Sequence, residues 1–299
     1  MESFRPFRVI GHAGMRTTLD GALIIKPAYP AERRFYEALV NDPYLAPMRP
    51  FIPRFLGTLS EHAVDAARLN VPPGRTEFLM LENLCSAFSR PNTLDIKLGT
   101  VFHDDTTDPA KVLRMQKTSR ETTSLSTGVR LTEFHVHDNK TLQPVYTPKS
   151  YGKSLKEPDL PLALAQFFPA HGDGDPAGGT LGLPRRLLVP VLRGIRDIVA
   201  CIREAYARLE MRVVGGSLLV MYEADWARAE QALLDGIEAS EDADNRRAGL
   251  GRPPYVVKLV DFAHTRIGRG LGPDQGVLLG LDTLLRLLDG RVRELALLG

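Results

Sequence analysis

Pro91-Asn92-Thr93-Leu94-Asp95-Ile96-Lys97-Leu98-Gly99 is the stretch on which the reading of this chain turns. It has the form PxxxDxKxG, with a carboxylate and an ammonium two positions apart on an otherwise largely apolar segment. In a strand, residues i and i+2 point to the same face, so Asp95 and Lys97 would share one cleft while Leu94, Ile96 and Leu98 face a core. An acid that orients a hydroxyl, beside a cation that holds a phosphoryl group, is what phosphoryl transfer requires. A solvated ion pair on the edge of a plain amphipathic strand fits the same residues equally well, so the surrounding chain decides between the two.

The 299 residues suffice for one large domain or two lobes. Lys plus Arg number 38 against 36 Asp plus Glu, a net charge of +2. That balance creates no global field toward nucleic acid or membrane, and no direct nucleic-acid partner is expected. Any anionic ligand must instead meet a local cluster of cations. The two cysteines, Cys85 and Cys201, form no CxxC pair, which argues against a disulfide framework or a structural zinc site and for a reducing compartment. Met1-Glu2-Ser3-Phe4-Arg5-Pro6 lacks a basic region followed by a long apolar run, and no apolar stretch reaches membrane-spanning length. The expectation is a soluble protein of the nucleus, the cytoplasm or both.

Upstream of the signature, Leu23-Ile24-Ile25-Lys26-Pro27 reads as a strand that Pro27 ends. A helix follows over Ala31 to Val40, with Phe35, Tyr36, Leu39 and Val40 at helical spacing, Glu and Arg on the other face, and Asn41-Asp42-Pro43 as the stop. Phe78-Leu79-Met80-Leu81 is a second short strand leading into Glu82-Asn83-Leu84. Residues 1–84 therefore suggest a small β-rich lobe with one helix, and 85–299 a larger mixed lobe, an α+β arrangement. The larger part contains a Pro/Gly/Asp-rich loop from Pro169 to Pro184, a helix from about Val189 to Leu209 and a strand from Ser217 to Tyr222. A polar stretch of mobile composition, Glu238 to Pro254, precedes a strand from Tyr255 to Val260 and a last Leu-rich buried helix over about Gly276 to Leu288.

Several segments carry chemistry, each with a plain alternative. Lys26 either reaches solvent from a strand end or meets nucleotide phosphates. Gly11-His12-Ala13-Gly14 could turn a hairpin over a nucleotide, although it is not GxGxxG. Glu82-Asn83-Leu84 is either a turn or a hinge whose backbone groups read a purine. Lys111, Arg114, Lys117 and Arg120 recur every three residues on a predicted helix, as a basic face that clamps phosphates or as a solvated one. Arg130 on the next strand could add a bidentate fork. Asp261, at the carboxyl end of Val256-Val257-Lys258-Leu259-Val260, is placed either to hold magnesium against ATP phosphates with help from Ser217, or to cap a turn. His264 is a phosphate contact or a structural histidine. Gly152-Lys153-Ser154 lacks the first glycine of a P-loop, since position 147 is Thr. His135-Val136-His137 offers no third metal ligand, and Asp261-Phe262-Ala263 has no HRDxxxxN before it.

Taken together these segments resemble the inositol polyphosphate kinase family, and within it the multikinases of fungal and plant type. The resemblance spans Gly11-His12, Ile25-Lys26-Pro27 with Phe35-Tyr36-Glu37, Phe51-Ile52-Pro53 to Gly57, Leu81-Glu82-Asn83-Leu84 and the PxxxDxKxG segment. It continues through Tyr151-Gly152-Lys153-Ser154-Leu155, Gly216-Ser217-Leu218-Leu219 and Val260-Asp261-Phe262-Ala263-His264-Thr265. It implies a two-lobed, distantly protein-kinase-like fold and an ATP- and Mg2+-dependent kinase acting on inositol trisphosphate and tetrakisphosphate. By similarity, Lys26 contacts ATP phosphates, Glu82 and Leu84 offer hinge backbone atoms, and Ser217 and Asp261 hold the metal. Asp95 orients the attacking hydroxyl, Lys97 holds the transferred phosphoryl, and Lys111, Arg114, Lys117, Arg130 and His264 bind inositol phosphates. The partners implied are soluble inositol polyphosphates, with a phosphoinositide headgroup and a transcription-factor scaffold role as further members of the list, and a monomer as the working state. An inositol hexakisphosphate kinase and a non-catalytic inositol phosphate sensor are the alternatives. Two departures stand out: the family usually has Ser-Ser-Leu-Leu where this chain has Gly216-Ser217-Leu218-Leu219, and Arg114 and Met115 stand where multikinases often have glutamines.

Overall fold

The computed structural model describes residues 4–6, 14–59, 77–105, 107–171, 180–241 and 252–297. Two antiparallel sheets of five strands each organise the chain. The first contains β1 (Phe4–Pro6), β2 (Arg16–Thr18), β3 (Leu23–Ala28), β4 (Phe55–Leu59) and β5 (Glu77–Glu82), in the order β1-β2-β3-β5-β4. Helix α1 (Pro30–Asn41) follows β3 and lays Phe35, Tyr36 and Leu39 into the core. Pro27 does not end β3: the strand runs to Ala28, with Pro27 opposite Phe78 of β5. Because β2 pairs only with Ile24 and Ile25, it no longer runs alongside at Pro27, so the missing N–H removes no bond to it.

The signature segment is β6 (Pro91–Leu98), the middle strand of the second sheet. Chain order continues through α2 (Pro109–Glu121), the short α3 (Ser124–Thr127), β7 (Val129–His137), β8 (Pro144–Thr147), α4 (Lys149–Ser154) and α5 (Leu160–Phe167). After a short parallel pair, β9 (Ala170–His171) with β10 (Leu183–Pro184), come α6 (Arg185–Ala207), β11 (Met211–Val213), β12 (Ser217–Glu223) and α7 (Trp226–Glu241). β13 (Tyr255–Val260), β14 (Thr265–Ile267) and α8 (Gln275–Leu297) complete the order, and the second sheet reads β13-β12-β6-β7-β8. Gly152-Lys153-Ser154 lies in α4 and not in a phosphate loop. Residues 172–179 of the Pro169–Pro184 loop, most of the 238–254 stretch and Gly11 to Ala13 lie outside the described residues.

Both long helices depart from their expected bounds: α6 starts four residues before Val189 and ends at Ala207, short of Leu209, and α8 exceeds its expected end. α6 starts at Arg185 and keeps Pro190 inside it, because Leu187, Leu188, Val191, Leu192 and Ile195 form one continuous buried stripe. α8 passes Gly290 and reaches Leu297. A mid-helix glycine costs ~1 kcal/mol, which is outweighed by complete burial of Leu295, at roughly 2 kcal/mol, and by the Arg291 guanidinium donating to the Phe168 carbonyl at 2.9 Å.

Two features fix β6 and β7 relative to each other. A bulge shifts the ladder between Asp95 and Ile96, so that Thr132 is extra and its hydroxyl donates to the Asp95 carbonyl at 2.7 Å. Apolar positions therefore fall at Val129 and Leu131 on one side of the bulge and at Phe134 and Val136 on the other, all buried. Gly99 N–H then donates to the Gly128 carbonyl at 2.8 Å, closing the strand ends together. Gly128 has φ +69° and lies under α8, where an added Cβ would stand 2.4 Å from Gly280 N and 2.7 Å from Gly276 O. Gly128→Ala should therefore lower the free energy of unfolding by about 2–4 kcal/mol, from left-handed strain plus overpacking against backbone, as read from urea denaturation.

His135 and His137 pack ring against ring at 5.4 Å. His135 Nε2 lies 2.8 Å from the Pro91 carbonyl, and His137 Nδ1 lies 3.3 Å from Asn92 Oδ1. Among the described residues no group of three or more His, Cys, Asp or Glu is arranged to hold a metal ion. Burial lowers both imidazoles, His137 from 6.5 to about 4 with the neighbouring His135 and Arg90 adding to the effect. Between these values the unfolded chain binds a proton that the folded chain rejects, so stability is full above about pH 6.5 and falls as pH drops toward about 4. The urea midpoint should decline across that window, and His137→Gln should flatten the decline.

Candidate active site

Lys26 sits in the interior of β3, and Glu32 lies in the first turn of α1. The turn between strand and helix brings Lys26 Nζ to 2.7 Å from Glu32 Oε1, with both residues buried. The same ammonium reaches Asp261 Oδ1 at 3.1 Å, while Asp261 Oδ2 meets Lys97 Nζ at 3.1 Å. One carboxylate thus links a lysine of each sheet. Asp261 achieves this with φ +69°, a left-handed conformation that aspartate tolerates better than most residues. Burial alone would lower the Lys26 ammonium, but Glu32 and Asp261 more than reverse that and raise it above its ordinary value. Glu32 Oε1 also accepts from the Phe262 N–H at 3.3 Å, and the buried Phe262 ring stacks on Phe35 at 4.3 Å. The sequence pattern placed Glu32 on the polar face of its helix; the structure buries it as the partner of Lys26.

On one side of this linkage is a largely apolar pocket walled by Met15, Ile24, Leu219, Met221 and Val260, with Lys26, Asp95 and Asp261 at its polar end. Glu82, Asn83 and Leu84 line its outer edge. The Glu82 carboxylate accepts from Arg54 N at 3.0 Å and lies 3.7 Å from Lys258, so its side chain is engaged in structure. Asn83 ties the edge down by donating to Gly21 O at 2.8 Å and accepting from Cys85 N at 3.0 Å. Burial pushes the Cys85 thiol up to about 11, so at neutral pH it is a protonated wall residue.

On the other side is a chamber of about 420 Å³ that shares Lys26 and Asp261 with the pocket. Its basic side chains besides the shared Lys26 are Lys97, Arg130 and His264, and its other walls include Phe102, Met115 and Thr118. Lys97 also donates to Gly215 O at 2.8 Å. Arg130 stands opposite Lys97 in the β6–β7 ladder, with its guanidinium 5.4 Å from the centre of the Phe102 ring. Burial lowers Arg130 and Asp95 opposes that shift. Asp95 Oδ1, Ser217 Oγ and Arg130 Nε and Nη1 are buried with no hydrogen-bond partner. Groups of this kind cost ~1–3 kcal/mol each, and their concentration along β6, β7 and β12 marks where a polar ligand belongs.

The basic helix is only partly brought to the chamber. α2 presents Met115 and Thr118, and Lys111 shares their stripe at i+4 and i+7. Each three-residue step turns the direction by about 60°, so Arg114 lies at the margin of that stripe, Lys117 faces away and pairs with Glu121 at 3.8 Å, and Arg120 is exposed on the far side. The four residues do not make one basic face.

Ser217 stands opposite both Lys97 and Val260 in the sheet, next to the strand end that delivers Asp261. A carboxylate and an unpartnered hydroxyl are hard oxygen donors. They fit a magnesium-like cation, which keeps several waters and takes one or two protein ligands plus phosphate oxygens.

Comparison with known proteins gives a consistent picture. The sequence matches the inositol polyphosphate kinase family over residues 78–289. The inositol polyphosphate multikinase of Saccharomyces cerevisiae is 28% identical, covering 95% of this chain and 98% of that protein. Rat inositol hexakisphosphate kinase 1 is 30% identical over 71% of this chain, which spans 51% of that longer protein. The crystal structure of inositol phosphate multikinase Ipk2 from S. cerevisiae, in complex with ADP and Mn2+, superposes with a TM-score of 0.70 at 27% identity, covering 91% of this chain and all of that one.

The buried Lys26–Glu32 pair yields a double-mutant test. Glu32→Ala should cost about 1–3 kcal/mol by leaving the buried Lys26 ammonium to Asp261 alone and the Phe262 N–H without its acceptor, whereas Lys26→Met combined with Glu32→Met should restore part of that loss, both read from urea denaturation.

Proposed function

We propose, on the premise that the chain belongs to the inositol polyphosphate kinase family, that it is an ATP- and divalent-metal-dependent kinase of inositol trisphosphate and tetrakisphosphate. The observation that carries this is the position of Asp95. Its unpartnered carboxylate oxygen belongs to a residue lining a largely apolar pocket, two residues along β6 from the lysine that lines the adjoining basic chamber.

In this reading the apolar walls hold the adenine, with Glu82 and Leu84 supplying backbone groups. A divalent cation held by Asp261 and Ser217 would neutralise the polyphosphate as charge develops. Lys26, fixed by Glu32, holds phosphate oxygens at the nucleotide side. Lys97 faces the transferred phosphoryl group. Arg130 and His264, with Lys111 at the chamber margin, bind acceptor phosphates. Asp95 accepts a hydrogen bond from the acceptor hydroxyl and aims its oxygen at the γ-phosphorus. The new O–P bond forms as the bond to the β–γ bridging oxygen breaks, ADP leaves, and the hydroxyl proton passes to Asp95. No covalent enzyme intermediate is needed, because positioning and charge neutralisation suffice.

The modest number of cations in the chamber supports acceptors with three or four phosphates over hexakisphosphate. The working state in this reading is a monomer, with the division between lobes near residue 84. Among the described residues no helix is long and apolar enough to cross a membrane, in keeping with soluble substrates in the cytoplasm or nucleus. A phosphoinositide headgroup offers the same phosphates, and a scaffold role would use surfaces away from the cleft.

Incubation of the protein with Mg·ATP and each inositol phosphate, followed by anion-exchange separation, should give products from trisphosphate and tetrakisphosphate. Products from hexakisphosphate alone would replace this reading with a pyrophosphate-forming kinase. Asp95→Ala and Asp261→Ala should each lower turnover by at least about a hundredfold with unchanged far-UV circular dichroism, and near-normal turnover in either removes the role given to that residue.

A further inference from the structure

The segment just after the signature carries an acid, Asp104, that none of these roles uses. Asp104 Oδ2 lies 2.8 Å from His264 Nδ1. Its other oxygen accepts from the Thr107 hydroxyl at 2.8 Å, and that hydroxyl accepts in turn from the Asp104 N–H at 3.0 Å. The carboxylate is therefore oriented from within its own loop. The His264 backbone is fixed as well: its carbonyl accepts from Val214 N at 3.2 Å, and Thr265 begins β14 by pairing with Val213. Next to this contact, Asp105 pairs with Arg266, a second tie between the same two segments.

An acid beside an anion-binding chamber would repel the acceptor unless its charge is absorbed locally, and Asp104 sets its carboxylate against the ring of His264, which lines the chamber. A carboxylate oxygen can only accept, so Nδ1 carries a proton and Nε2 is the nitrogen left for the chamber. We propose, resting on the kinase reading above, that Asp104 is a positioning residue for acceptor recognition: by accepting Nδ1–H it sets the ring orientation of His264, so that Nε2 faces a phosphate oxygen of the inositol polyphosphate. Between the two anions the ring donates Nδ1–H to Asp104 and Nε2–H to the phosphate. Outer carboxylates orient metal-bound histidines in the same way, except that here Nε2 presents a proton to an oxygen in place of a lone pair to a metal.

Steady-state kinetics of the full chain with Mg·ATP and inositol trisphosphate test the proposal. Asp104→Ala should raise KM for the inositol phosphate about tenfold, leave KM for ATP unchanged and change kcat far less. Asp104→Asn, which keeps an acceptor oxygen, should recover most of the loss. In a His264→Ala background Asp104→Ala should add nothing. An unchanged KM for the acceptor, an equal effect in the His264→Ala background, or a parallel rise in KM for ATP would each overturn the proposal. Long-range 1H–15N spectra of the His264 ring give a readout that needs no substrate. Nδ1 should be protonated in the wild type and the tautomer should shift in Asp104→Ala, and identical spectra count against the pairing. Failure of the wild-type protein to phosphorylate any inositol phosphate would remove the kinase reading, while the ring spectra would still decide whether Asp104 accepts Nδ1–H.

Discussion

Asp261 holds two ammonium groups at once, and much of the site depends on that geometry. Lys26 belongs to the first sheet and Lys97 to the second, so the carboxylate sets the distance between the nucleotide side and the acceptor side of the cleft. Its left-handed backbone is held from below by Phe262, whose ring is buried among Phe35 and Tyr36 of α1. An apolar anchor thus positions a polar bridge. Charges taken from water at this depth give little net stability, so the arrangement is better understood as fixing positions than as strengthening the fold. Hydrophobic contact carries the energy, and the ions carry the register.

Other contacts between the two parts follow the same division. Tyr44, in the segment after α1, accepts through its hydroxyl from Glu210 N at 2.6 Å, and Lys258 of β13 donates to Pro50 O at 2.7 Å. These bonds run beside the Phe262 cluster and keep β13, and hence Asp261, aligned with α1, and hence Glu32.

The strands of the second sheet were the most legible part of the sequence. Tyr255–Val260 and the signature strand match their expected bounds, because alternating or continuous apolar residues between turn-forming neighbours leave few other solutions. The bulge in β7 was also written there, as the three-residue gap between Leu131 and Phe134, but a period of two does not anticipate it. Glu32 was hidden by a sound rule applied too far: an amphipathic helix keeps its charges outward unless a buried partner waits, and Lys26 is such a partner. The basic helix misled for a geometric reason, since a spacing of three drifts around a helix instead of tracking one face. Helix ends were missed at Arg185 and at Leu297, where the buried leucines Leu187, Leu188 and Leu295 carry each helix past its expected end. The individual roles of Arg130, His264 and Ser217 rested on resemblance, and side-chain geometry adds what resemblance lacks: which polar atoms are left without partners.

The pocket and the chamber are built from different materials. The pocket is walled by strands whose backbones are locked into two sheets, whereas the chamber takes Met115 and Thr118 from α2, a helix with only one buried residue, Ser119. That helix is tethered by a few polar bonds, among them Ser119 Oγ to Thr100 O and Lys156 Nζ to Glu121 O. Exposed positions on it therefore touch neither the core nor the walls of the pocket. The chamber wall thus rests on a surface helix and the pocket on paired strands, so the two halves of the site answer to different constraints: one to sheet register, the other to the few polar ties of α2.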